Sequence, residues 1–442
     1  MGVFEIGLLY VGGALLLLLT GMPIAFALGL AAMIAMLIFM PVVVVFAIPE
    51  TLFSELDNFT LLAVPLFILM GTAIGKTRAA ADLYNALYAW LYRLPGGLGV
   101  ANVAGCVVFS AMCGSSPATC AAIGGMGIPE MRRRGYSDQL STGLIAAGGT
   151  LGILIPPSIT LIIYGIIAEQ SIGRLFMAGV VPGAALAGLF AIWVILSSWR
   201  DLRRTRAISG PSVVAESYSW SDRFKTLPRL LPFLILIGMI LYALYGGVAT
   251  PSEVAGVGAF AVLVFVALLY GCYRWRDLKP ILGSAAQESC MIMMIVAMSF
   301  VFTYVMSYLH ITQSAAEWLI EAEMSRWVFL LLINLLMLLL GCFLPPVTII
   351  LMVTPVVLPA VIAAGFDPIW FGIMMTINME LGMITPPVGL NLFVIKGIAP
   401  DVSLRSIVAG VIPFILIIMG FMVLLAIFPE IVLWLPNLMI GQ

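Results

Sequence analysis

Charge is scarce in this 442-residue sequence: 9% of its residues are Asp, Glu, Lys or Arg, against roughly a quarter in soluble domains. With 63% hydrophobic residues and a mean hydropathy of +1.17, a soluble enzyme is excluded. The 20 basic and 21 acidic residues nearly cancel, to a net charge of -1, which leaves no basic footprint for nucleic acid. Histidine is almost missing, and the lone His310 excludes a histidine-based metal site or a hydrolytic triad. Cysteine pairing signals are absent too. Cys106, Cys113, Cys120, Cys272, Cys290 and Cys342 lie in or beside apolar segments without a CxxC spacing, so they read as small buried apolar residues.

What remains is a succession of long apolar runs, each able to cross a hydrocarbon layer of about 30 Å as a helix. The runs are continuous rather than alternating, which disfavours barrel strands. The fold class expected is an all-α polytopic membrane protein embedded in a lipid bilayer. Spans are expected near residues 5–22, 24–47, 61–76, 97–130 (a broken pair), 138–168 (interrupted) and 175–199. A second set follows near 230–247, 253–273, 281–309, 327–364 (a broken pair), 369–398 (interrupted) and 408–436. Ile6 to Leu19 lacks a positively charged n-region and is separated from the next run only by Gly21, Met22 and Pro23, so it reads as a span and not a cleaved signal.

The only long polar stretch, residues 200–229, predicts a cytoplasmic linker between halves at 1–199 and 230–442. Thirteen of the 20 basic residues fall in four loops, around Arg132 to Arg134, Arg200 to Arg206, Arg223 to Arg229 and Arg274 to Lys279. By the positive-inside rule these loops are cytoplasmic. The segment with Glu317, Glu321 and Glu323, and the Ala363 to Pro368 loop without Lys or Arg, are expected on the far side.

Proline pairs inside apolar runs cost helical hydrogen bonds, so their placement is informative. LGILIPPS begins at Leu151 and LGMITPPV at Leu381, 230 residues later. Upstream, Cys113, Pro117 and Thr119 have counterparts in Cys342, Pro346 and Thr348, each 229 residues on, and Gly135 and Gly143 match Gly365 and Gly372 within one residue of the same offset. The chain is therefore read as a duplicated unit, each copy a re-entrant hairpin (97–130, 327–364) followed by a broken helix (138–168, 369–398). The loop before the first broken helix is RRRG and before the second AAGF, so the copies are inverted across the membrane, as in secondary transporters with a midplane site.

Unwound backbone at membrane depth offers carbonyl oxygens to a cation, and half-helix N-termini offer partial positive charge to a carboxylate. In the first unit Ser115, Ser116 and Thr119 stand opposite the Gly152 to Ser158 break. In the second, Gly341 and Thr348 stand opposite Gly382 to Val388, with Asn391 just beyond. Two cation sites and a shared anion pocket follow, with Ser116, Thr119, Thr348 and Asn391 as the substrate candidates. For the hydroxyls the alternative is a bond back to their own helix.

LGILIPPSITLIIYG, ATPSEVAGVGA, FDPIWFGIMM and ELGMITPPVGLNLFV, spread along essentially the whole chain, resemble the large membrane subunit of TRAP (tripartite ATP-independent periplasmic) transporters. That resemblance implies an elevator-type symporter in a bacterial inner membrane, coupled to sodium ions and fed by a soluble periplasmic substrate-binding protein. It implies a separate small TRAP membrane subunit and organic acid substrates such as C4-dicarboxylates, keto acids or sialic acid. One sodium site would use Gly341, Gly382, Thr385 and Val388, and its repeat-related partner Ser115, Gly152, Ile155 and Ser158. The second hairpin reads GCFLPPVT from Gly341, an uncharged tip where some members carry an acid. A stand-alone ion-coupled organic-anion carrier is the alternative.

Other strings yield to simpler readings. GTAIGKT, from Gly71, has three residues between glycines where a phosphate loop needs four, and AGVGAFA around Gly256 follows no strand. Thr250 to Glu253 reads as a helix start. The 26 methionines and nine tryptophans read as packing residues and interfacial anchors. Glu169, Glu288 and Glu380 fall near or inside spans and are functional suspects, Glu380 foremost because it precedes a break. A membrane-embedded hydrolase is disfavoured, since no His, Lys or Asp accompanies Ser115 in the hairpin.

Overall fold

Several helix ends in this molecule coincide with residues that cannot continue a helix or that satisfy its free ends. The computed structural model describes residues 2–46, 48–209, 219–314 and 324–440, and among these the chain is helical with no strand. The helices are α1 (Val3–Leu19), α2 (Ile24–Phe39), α3 (Val42–Val45), α4 (Ile48–Leu56), α5 (Ala63–Gly75), α6 (Ala79–Leu91), α7 (Gly97–Cys113), α8 (Ser116–Arg133), α9 (Asp138–Thr150) and α10 (Ile159–Ile167). They continue as α11 (Ile172–Ser209), α12 (Trp220–Tyr245), α13 (Pro251–Tyr270), α14 (Trp275–Tyr308), α15 (Arg326–Gly341), α16 (Pro346–Ala363), α17 (Pro368–Met383), α18 (Leu390–Ile398), α19 (Leu404–Ile427) and α20 (Glu430–Ile440). By length and composition α11, α12, α13, α14, α16 and α19 are able to cross a membrane.

In the first unit, α7 and α8 meet at a tip where Gly114 takes φ +61° and Pro117 opens the next helix. After them α9, a 3-10 turn over Leu151–Ile153 and α10 form an interrupted span. The second unit repeats the order with α15 and α16, then α17 and α18. Asp367 caps α17, its carboxylate accepting the amides of Ile369 at 2.8 Å and Trp370 at 3.0 Å. Both proline pairs, Pro156-Pro157 and Pro386-Pro387, are cis and lie in the breaks.

Two sequence expectations change. The span expected at 24–47 is not continuous: α2 stops at Phe39, because Pro41 forces Met40 out of the helical region to φ -124°, ψ 150°. The stretch 200–229 is not a loop over its described length. Helix α11 runs through the arginine-rich segment to Ser209, and α12 restarts at Trp220 behind a capping box in which Ser219 donates its amide to Asp222 at 3.2 Å. Arginine is a good helix former, so polarity there ends the membrane span without ending the helix. Residues 210–218 and the acidic cluster of Glu317, Glu321 and Glu323 lie outside the described residues. The Thr250 cap forms as read, with Glu253 accepting the Thr250 amide at 2.8 Å.

The two units run in opposite directions. Tyr164, near the end of the first broken span, donates its hydroxyl to the Pro368 carbonyl at the start of the second, at 2.6 Å. At the other end, Arg132 bridges Asp138, which opens the first span, and Asp401, which follows the second, at 2.8 and 2.6 Å. Each span therefore ends where the other begins. Between these ends the leading halves are enclosed by protein: every residue from Leu140 to Thr150 and from Ile369 to Met383 is buried. Such enclosure is what lets interrupted backbone persist at membrane depth. Where α9 crosses α19, Gly143 meets Gly410 so closely that a Cβ on either would overlap the facing backbone. Outside this core, α5 packs against α13 and α14, and α14 against α2.

Candidate functional site

Each hairpin tip is pressed onto its own unit's break. In the second unit a Cβ on Gly382 would lie 2.7 Å from the Gly341 Cα, so two glycines are required for backbone to meet backbone there. The Gly389 amide, at φ +60°, donates to the Cys342 carbonyl at 3.1 Å and fixes the far side of the same break. In the first unit the approach is looser: a Cβ on Gly152 would stand 3.0 Å from the Ser115 carbonyl oxygen. Ser115 and Gly152 are thus neighbours, as are Gly341 and Gly382.

The remaining members of the two cation sets differ in how their oxygens are occupied. Ser158 is buried, donating its hydroxyl to the Ile153 carbonyl at 2.5 Å and accepting the Leu161 amide at 3.3 Å as the cap of α10. Ile155 lies half-buried between them, its amide bonded to the Leu151 carbonyl at 3.0 Å. Thr385 bonds back to the Leu381 carbonyl at 2.6 Å, and Val388 is half-buried beside the exposed Pro386 and Pro387. Ser158 and Thr385 spend their hydroxyl protons on these carbonyls and keep oxygen lone pairs, so they stand with the backbone carbonyls of the tips and breaks as hard oxygen donors suited to a sodium ion.

Of the four substrate candidates, the fold joins two across the units. Asn391 in α18 donates to the Ser116 hydroxyl at 2.8 Å and to the Ala146 carbonyl at 3.1 Å, linking the second break to the first hairpin and to α9. Its Oδ1 has no partner among the described residues although Asn391 is fully buried. Thr119 is turned away from this junction and bonds back to the Ser115 carbonyl at 2.8 Å, the alternative weighed for it from sequence. Thr348 is buried in α16 with its hydroxyl unpartnered among the described residues. An orphaned buried polar atom costs about 1–3 kcal/mol, so two of them at the tips and breaks mark places where the fold forgoes its own satisfaction. Glu380 is a third such place, buried with neither carboxylate oxygen bonded among the described residues.

A cavity of about 340 Å³ opens beside the first tip. Ser115 at the tip and Ala118 and Ala122 on α8 line it, so it runs from the tip toward the Arg132 end of that helix, and Ser115 makes no side-chain cap bond. The opposite wall is built from Thr72 and Lys76 on the α5 side and Ser284 and Glu288 on α14. Glu288 stood among the sequence suspects, but Lys76 did not, because its string was weighed only as a phosphate loop. The available signal was spacing: Thr72 with Lys76 and Ser284 with Glu288 are each four residues apart, one helical face apiece. At the loop end of the molecule, hydrogen bonding to Arg132 holds the Asp401 carboxyl below the usual carboxylate range.

A family model described as the tripartite ATP-independent periplasmic transporter, DctM component, matches residues 11–431. The chain is 36% identical over 446 aligned positions to the C4-dicarboxylate TRAP transporter large permease protein DctM of Rhodobacter capsulatus, covering 98% of this chain and 99% of that one. It is 38% identical to the protein of the same description from Pseudomonas aeruginosa, over 93% of this chain and 94% of the relative. To the sialic acid TRAP transporter large permease protein SiaM of Vibrio cholerae it is 31% identical, over 97% and 98%. Among solved structures, the Alcanivorax borkumensis YdaH transporter superposes with a TM-score of 0.62 at 16% identity, over 86% of this chain and 87% of that one, a likeness of fold alone.

Proposed function

The chain belongs to the DctM component family of tripartite ATP-independent periplasmic transporters, and from that premise we propose that it is the sodium-coupled large permease subunit of an importer of organic acids, C4-dicarboxylates or related carboxylates. The observation that carries this reading is the antiparallel pair of broken spans, each closed by a glycine-lined hairpin tip and joined to the other unit through Asn391 and Ser116. Sodium ions would be held by backbone and side-chain oxygens around Gly341, Gly382, Thr385 and Val388 in one unit and Ser115, Gly152, Ile155 and Ser158 in the other. Their role is to offset the charge of an anion held between the units. Thr348 and the free Asn391 oxygen face the substrate's donors, Ser116 orients the Asn391 amide, and Thr119 steadies the tip.

Import runs in a bacterial inner membrane, with a small membrane subunit completing the fixed part and a periplasmic binding protein delivering the acid. Hairpins and broken spans move as one body past α2, α5, α13 and α14, an elevator displacement that carries the site between faces. The open cavity along α8 is then the cytoplasmic release path. The test is uptake of labelled acids by proteoliposomes containing this chain and its small subunit, with the binding protein added outside. Uptake is expected to collapse when the inward sodium gradient is removed, and when Ser115 or Thr385 is replaced by leucine with membrane insertion intact. Undiminished uptake without sodium overturns the coupling, and full uptake without the binding protein favours the stand-alone carrier.

A further inference from the structure

The cavity beside the first tip carries two opposite charges that its neighbours do not use. Lys76, just past the end of α5, and Glu288, on α14, both line it, and neither forms an ion pair or side-chain hydrogen bond with another described residue. Lys76 is exposed and Glu288 half-buried, and the rest of the wall joins apolar or small residues such as Ile68, Phe109 and Ala118 to the hydroxyl-bearing Thr72 and Ser284, so the Glu288 charge is screened less than one on an open surface. Ser115, Thr72 and Ser284 add hydroxyl-bearing side chains to the lining, and Ser115 makes no side-chain cap bond.

We propose that this cavity recognises an organic acid bearing a single carboxylate together with hydroxyl or ammonium donors, the carboxylate set against Lys76 and the donors against Glu288 and Ser115. The inference rests on the transporter reading and narrows its substrate class. A plain dicarboxylate presents a second negative group to Glu288, and like charges juxtaposed in a partly desolvated site are strongly discriminated against. A site built to pair with donors also rejects the analogue lacking them, because its own acceptor is then left unpaired. The volume, about 340 Å³, lies at the small end of ligand cavities and suits an acid of sugar size or below. Lys76 follows α5, which packs with α13, and Glu288 stands on α14, which packs with α2, so both lie outside the moving units and meet the acid only while this side is open.

The test uses the purified chain in lipid nanodiscs with sodium chloride, titrated with gluconate, which has one carboxylate and five hydroxyls, and with succinate, which has two carboxylates and no other donor. Wild type is expected to bind gluconate about tenfold more tightly than succinate; E288Q should close that gap by tightening succinate, and K76Q should weaken both acids about tenfold. Melting temperatures without ligand verify that both variants fold. A wild-type preference for succinate, a ratio unchanged by E288Q, or binding of neither acid overturns the proposal. Sodium-driven uptake in the proteoliposome assay is scored separately. If it survives while these titrations fail, only the charge-pair recognition falls; if it is lost, the transporter reading falls.

Discussion

At the first break, Ser158 fills the gap with its own hydroxyl, taking the Ile153 carbonyl on one side and the Leu161 amide on the other, and the segment from Pro156 to Thr160 is buried. At the second, α18 has no side-chain cap, Pro386 and Pro387 are exposed, and the Gly389 amide reaches across to the Cys342 carbonyl of the hairpin. One duplicated motif has thus produced one break that satisfies itself and one that depends on its hairpin. A self-satisfied break keeps its shape whatever the tip does. A dependent one changes shape when the tip moves or a ligand competes for the same backbone groups, which makes the second unit the more responsive half of the site.

The largest blow to this contrast should come from Gly382→Ala, whose added Cβ has no room against the Gly341 backbone. Overpacking of that kind costs about 1–3 kcal/mol, and sodium-dependent uptake should fall at least about tenfold. Gly152→Ala meets the Ser115 carbonyl at 3.0 Å and should cost clearly less. Equal losses in melting temperature and uptake would show that the two tips are seated alike. Next in size is Asn391→Leu, which strips Ser116 and the Ala146 carbonyl of their partner at about 1–3 kcal/mol. Because it cuts the tie between units, KM for the acid should rise more than expression falls.

A finer measurement compares Ser158→Ala with Thr385→Ala. The first removes a cap and should cost about 1 kcal/mol, while the second removes only a bond back to its own helix and should change stability by less than about 0.5 kcal/mol. Matched denaturation midpoints for the pair would erase the distinction drawn between the breaks. The smallest effect concerns the junction at which the two spans meet. Arg132 holds the Asp401 carboxyl below its ordinary range, so the bridge contributes fully above the unfolded Asp value of about 4 and is lost as pH falls through the lower folded one. Asp401→Asn should lower Tm slightly at pH 7, and the gap to wild type should close as the sample is acidified below about pH 4.

Much of this was legible in the residues because proline and glycine act locally. The paired prolines at 156–157 and 386–387 locate both breaks, and the shared offset reveals the duplication. Loop charge predicts that the two copies are opposed, and the bridge from Arg132 to Asp401, with the Tyr164 bond to Pro368 at the other end, shows the two broken spans antiparallel. Less legible was what depends on partners distant in sequence. Asn391 reads as a substrate candidate just beyond a break, but nothing in the spacing pairs it directly with Ser116, 275 positions away. Thr119 and Thr348 look equivalent in sequence, yet one is bonded to its own helix and the other is left unpartnered. The arginine-rich stretch after Trp199 misled because polarity marks the end of a membrane span and says nothing about the end of a helix.

By itself, then, the amino-acid order dictated a lipid-embedded helical protein, two copies of an interrupted unit and their opposed orientation, since hydropathy, proline chemistry and loop charge each act over a few neighbouring residues. Tertiary packing alone decided which oxygens remain free, which tip sits tightly on its break, and that Lys76 and Glu288 share one cavity with Ser115. Those outcomes are distances between separate helices, fixed by how glycine-lined surfaces dock, and no local rule contains them.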